Sequence, residues 1–216
     1  MDHRPLEQFS TFNDRVRQFA TQLSESVSSV ASQDHARFKV TVPEQDAERP
    51  SRFEAMIRQQ QPLGIPLKKD GQPLLALEVH IKLTGDSHLQ HLRTLESRFA
   101  VHPAGSDAES REPVVRYEYD SAKEDHILPA AHIQVHGRHP FLETLAQSGR
   151  AGLPRVWALH FPVGGTRFRP CLEDVIEFLI HEFAIDYNEG ALARLQNGRA
   201  CLLYTSDAAD DSLRVD

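Results

Sequence analysis

With 216 residues, 40% of them hydrophobic and 25% charged, the chain is long enough to bury a core and too apolar for wholesale disorder. A formal net charge of −7 argues against broad nucleic-acid binding through charge alone; no apolar run has signal-peptide or membrane-spanning character, so a cytoplasmic protein is the expectation. Two cysteines, Cys171 and Cys201, exclude a disulfide framework, and the lack of a CxxC pair removes the usual cysteine zinc site.

In chain order, Leu6, Phe9, Phe12, Val16, Phe19, Leu23 and Val27 recur at steps of three and four, which predicts a long amphipathic N-terminal helix. RFKVTVP alternates and is β-branched, so it reads as a strand. The polar stretch after it carries a short helical motif at Phe53, Met56 and Ile57. Asp70-Gly71 predicts a hairpin turn leading into a strand from Leu74 to Leu83. HLRTLESRFAVHP fits either period, but Pro103 and Gly105 close it and its neighbours are strands, so it reads as a strand. VVRYEYD, AAHIQVHG and RVWALHFPVGG follow as strands, with HPFLETLAQSG between the last two as a short helix. CLEDVIEFLIHEFAID carries Leu172, Val175, Ile176, Leu179, Ile180 and Phe183 on one helical face, and NEGALARLQNG predicts a last short helix. Strands and long helices do not alternate, which excludes a doubly wound parallel sheet. The expected fold is α+β over residues 1–200: an antiparallel, meander-like sheet with the N-terminal helix and a C-terminal amphipathic helix packed on one face.

Three groups of residues carry chemistry. On the strand AHIQVHG, His132, Gln134 and His136 project to one face and Ile133 and Val135 to the other. Two histidines two apart, completed by His160 from a neighbouring strand, are weak candidates for a divalent metal or for acid–base groups. In VRYEYD, Arg116, Glu118 and Asp120 share one face and Tyr117 and Tyr119 the other, so carboxylates reach the histidine face if the two strands are neighbours. In HFPVGGTRFRPCLED, Arg167 and Arg169 precede a helix N-terminus, a combination that favours anions. Cys171 stands at that helix's N-cap with Asp174 three residues on, and a thiol so placed is a candidate nucleophile.

His132-Ile-Gln-Val-His136 resembles the histidine-triad motif of nucleotide hydrolases and transferases. The nucleophile's place in that motif is Gln134 here, so the resemblance does not extend to covalent phosphoryl transfer. Over about residues 114–185, the succession of acidic–aromatic strand, histidine strand, Gly/Arg turn and apolar helix resembles bacterial, chiefly actinobacterial, families without an assigned activity. The last residues, CLLYTSDAADDSLRVD, resemble a translated sequencing-library adapter, which matches Cys201 through Asp211 position by position. That resemblance implies a metagenomic fragment whose own sequence stops near Ala200, followed by an artefactual tail expected to be disordered. Without the tail's four aspartates and one arginine, the net charge changes from −7 to −4.

The functional expectation is a small binding or regulatory module. It would hold an anionic small molecule through Arg116, Gln134, Arg167 and Arg169, or another protein through the N-terminal helix. The alternative is a phosphoester- or nucleotide-directed enzyme, metal-assisted or not, using His132, His136, His160 or Cys171. Either version expects these groups to converge in one pocket.

Overall fold

Within the strand from Gln72 to Gly85, Leu75, Leu77, Val79, Ile81 and Leu83 are buried, whereas Glu78, His80 and Lys82 between them are partly exposed. A period of two in burial is what a sheet with one apolar and one polar face demands, and the rest of the fold repeats it. The computed structural model describes residues 4–42, 53–85, 91–106, 111–122, 129–137, 161–163 and 169–199. The elements are α1 (Arg4–Val27), β1 (Phe38–Thr41), β2 (Glu54–Gln59), β3 (Ile65–Lys69), β4 (Gln72–Gly85), β5 (Leu92–Pro103), β6 (Val115–Asp120), β7 (Ala131–Val135), β8 (Phe161–Pro162) and α2 (Leu172–Phe183). A further helix, α3, covers 191–199.

Among the described residues the sheet has eight strands, antiparallel throughout, seven of them in the order β1-β2-β4-β5-β6-β7-β8. The fold is thus the expected α+β meander, with one irregularity: β3 lies off this path and pairs with β4. Strand β4 is long enough to hold β3 along its first half and β2 along its second, while β5 runs along its other edge. Asp70 and Gly71 both have positive φ, at 51° and 76°, the conformation of a two-residue hairpin turn matched to strand twist. The carboxylate of Asp186 accepts hydrogen bonds from the N–H groups of both residues, each at 2.8 Å, and so ties the turn to the segment after α2.

Helices α1 and α2 cover the same face of the sheet. From α1 come Phe12, Val16, Leu23 and Val27, and from α2 come Val175, Ile176 and Leu179; all join one core with Ile57, Leu77, Val79, Phe99 and Val101. Each such side chain contributes about 1.5–3 kcal/mol on burial, so this layer carries the fold. Helix α2 starts where Asp174 turns back to accept the Cys171 N–H at 3.1 Å, half of a capping box. It ends at Ala184, in the left-handed conformation with φ 51°. A buried polar pair joins the two helices: Ser26 donates to Glu173 at 2.7 Å.

One expected element is corrected. Residues 53–57 form no helix; Glu54–Gln59 is strand β2. Phe53, Met56 and Ile57 satisfy a helical spacing, but Ala55 and Ile57 also alternate inward. So short a helix is unstable alone, whereas pairing with both β1 and β4 satisfies the backbone on two sides. The helix expected in HPFLETLAQSG, most of the strand expected in RVWALHFPVGG, and residues 201–216 lie outside the described residues.

Candidate functional site on the polar face of the sheet

The faces of the middle strands follow from register. Strand β6 pairs with β7 so that Glu118 opposes His132 and Arg116 opposes Gln134. These four residues therefore project together from the face opposite α1 and α2, and the expected supply of a carboxylate to the histidine strand is met. Strand β5 adds Arg98, directly opposite Glu118.

Glu118 is the centre. Its Oε2 lies 3.1 Å from His132 Nε2, and its Oε1 lies 3.6 Å from Arg98 Nε and 3.7 Å from the Arg116 guanidinium. Arg116 also donates to the side-chain oxygen of Gln134. The hydrogen bond from His132, followed by the two guanidinium charges, holds the Glu118 carboxyl below the usual range against the opposing effect of burial. His132 is 1% exposed, and its other nitrogen, Nδ1, lies 3.0 Å from the carbonyl oxygen of Pro129. A carbonyl only accepts, so Nδ1 carries a hydrogen, and Nε2 donates to Glu118 whenever it is protonated. Both ring nitrogens thus point at protein oxygens. Arg98 Nε is buried, and at 3.6 Å from Glu118 it makes no hydrogen bond among the described residues.

The other expected site residues are not brought here. His136 is exposed, and its Nε2 lies 3.3 Å from Glu112. His160 and Arg167 lie outside the described residues. Arg169 donates to the hydroxyl of Thr94, and its guanidinium carbon sits 5.8 Å from the ring centre of Tyr119. Tyr119 alternates with Glu118 along β6, so Arg169 packs on the helix-covered face, across the sheet from His132. Arg116 and Gln134 therefore do not converge with Arg169. Burial lowers the Arg169 pKa, with Tyr119 opposing that shift.

Cys171 is buried, and its thiol donates to Asp174 at 3.1 Å. Burial, then the charges of Glu173 and Asp174, push the thiol far up, which keeps it protonated at neutral pH. Among the described residues no cluster of three or more His, Cys, Asp or Glu side chains is placed to hold a metal ion.

Two features escape sequence reading. A cleft of about 940 Å³ opens between the end of α1, β3 and the segment leading into α3, lined by Ser28, His35, Lys68, Asp186, Asn188 and Arg194 among others. These residues come from three distant stretches and share no motif. Arg98 is the second: only the register of β5 with β6 shows that it faces Glu118. The chain matches no protein-family model, no curated protein and no solved structure.

Proposed function

We propose that the protein is a binding or regulatory module whose polar sheet face holds an anionic ligand between Arg98 and Arg116. The observation that supports this reading is the charge count at Glu118. Two guanidiniums and an imidazole share one carboxylate, at 3.6, 3.7 and 3.1 Å, so positive charge is in excess there in a chain of net charge −7. Both arginines retain access to solvent, with side chains 41% and 30% exposed. Guanidiniums oriented by a fixed carboxylate lose little side-chain entropy when an oxyanion joins them. Titration calorimetry with inorganic phosphate tests this: wild type binds, and Arg98→Gln and Arg116→Gln each weaken binding about fivefold or more, the scale of one lost charged hydrogen bond. Phosphate that does not bind, or that binds all three proteins equally, contradicts it.

A second reading, a phosphoester-directed enzyme, is favoured by one observation, the contact at 3.1 Å between Glu118 and His132, a pair able to move a proton. It requires turnover of a phosphoester such as p-nitrophenyl phosphate that is lost in His132→Gln.

A further inference from the structure

The row of residues that contains Arg98 and Glu118 continues across the sheet. Register places Lys39 opposite Arg58, Arg58 opposite His80, His80 opposite Arg98, Arg98 opposite Glu118 and Glu118 opposite His132. Six strands thus contribute one side chain each to a single transverse line on the polar face, with a carboxylate at only one position. The line's outer end, Lys39 opposite Arg58, is a cross-strand pair of like charge, which destabilises a sheet and so is not explained by the needs of folding.

The acids beside the row do not neutralise its outer half. Glu96 and Glu54 are drawn to Lys82, at 4.0 and 3.1 Å, and Glu78 contacts His102 at 3.3 Å. Among the described residues, Lys39 and Arg58 have no carboxylate at ion-pair distance; Arg58 reaches only the ring of His80, at 3.5 Å. Burial first, and then Arg58, keep the His80 pKa below the ordinary imidazole range; Arg98 adds to this against the charges of Glu96 and Glu78. Exposure falls along the line. Lys39 and Arg58 are exposed, the Arg98 side chain is 41% exposed, that of Glu118 24% and that of His132 2%.

We infer that this row is a binding track for a chain of linked phosphates, entering over Lys39 and Arg58 and ending at Arg98 and Arg116. This rests on the anion-binding reading above and extends it. From Lys39 to Arg98 is three strand steps, about 14 Å, too far for one phosphate or carboxylate to bridge and suited to an anion carrying charge along its length. A single-stranded nucleic acid is disfavoured, because no Phe, Tyr or Trp among the described strand residues lies on this face. Phe38, Phe99, Tyr117, Tyr119 and Phe161 all fall on the other face by register, so the described residues supply no stacking platform of the kind such strands need.

The test compares orthophosphate, tripolyphosphate, long-chain inorganic polyphosphate and a thymidine oligonucleotide on wild type, Lys39→Gln and Arg58→Gln. The expectation is affinity that rises with phosphate chain length, and a loss of about two- to fivefold in each variant for tripolyphosphate and polyphosphate but not for orthophosphate. For polyphosphate, the dependence of log affinity on log salt becomes shallower by about one in Arg58→Gln, as for removal of one phosphate contact. Both substitutions are on exposed side chains, so folding is retained. Orthophosphate binding with no gain for longer chains, or variants indistinguishable from wild type, overturns the track and leaves the Arg98/Arg116 site standing. No binding of any phosphate overturns both. An oligonucleotide that binds as tightly as polyphosphate overturns the choice of a base-free phosphate chain.

Discussion

The two faces of the sheet are built from the same strands on opposite principles. On the helix side, Leu77, Val79, Phe99 and Val101 interlock with α1 and α2, and many redundant contacts secure each residue. On the polar side, Arg98, Arg116, Glu118, His132 and Gln134 are joined by a few specific pair contacts centred on Glu118 and Arg116. The first face makes the fold. The second is carried by it, and its composition is free to serve something other than stability.

Substitutions that strike one face at a time sharpen this contrast. The largest effect belongs to the core: Leu77→Ala, at a position 0% exposed, is expected to lower the unfolding free energy by about 2–5 kcal/mol in urea titration. Glu118→Ala comes next. It removes the carboxylate that His132 hydrogen-bonds and that Arg98 and Arg116 pair with, and is expected to cost about 1–3 kcal/mol, discounted because its side chain keeps 24% exposure. Because the folded-state pKa of Glu118 is lowered, its contribution is present above the ordinary glutamate range and is lost as pH falls through the folded value. Wild type is therefore expected to lose more stability than Glu118→Gln on acidification below that range, measured as unfolding midpoints at pH 7 and pH 3.

Gly198→Ala is expected to be smaller. Alanine normally favours a helix, but a Cβ here would meet Glu173 Oε1 at 2.7 Å and Ser26 Oγ at 3.0 Å, the two atoms of the buried polar pair. The clash outweighs propensity, giving a net loss of about 1 kcal/mol; a gain in stability would show that the pair yields freely. At the low end, Arg58→Gln is expected to change stability by less than about 0.5 kcal/mol while weakening polyphosphate binding.

How much of this was legible in the sequence follows the same division. Strict periodicity exposed α1, α2, the Asp70-Gly71 hairpin and most strands, because burial of one face leaves a direct imprint on residue order. Among the described residues, the element that departs from expectation is β2, short enough that Phe53, Met56 and Ile57 suit both periods, so that only its pairing with β1 and β4 decides. Alternation also placed His132 with Gln134 and Arg116 with Glu118, each pair on one face of its strand; the pairing of β6 with β7 joins the two faces. What alternation cannot supply is register. Arg169 looked like a partner of that face, yet parity along β6 puts it on the other, against Tyr119. Lys39, Arg58 and His80 are scattered over the sequence and become a line only once each strand is aligned with its neighbour. The Cys171 thiol followed the capping spacing, and what the spacing did not show is that burial beside two carboxylates raises its pKa where a helix start alone would lower it.

The most direct test of the central claim, that the polar face binds and the helix face holds, is a two-dimensional amide NMR titration of the wild-type chain with tripolyphosphate. Shifts are expected in strand residues around Lys39, Arg58, His80, Arg98 and Arg116, with α1 and α2 unmoved. Shifts confined to the cleft around Asp186, Asn188 and Arg194, or none at any concentration, would contradict it.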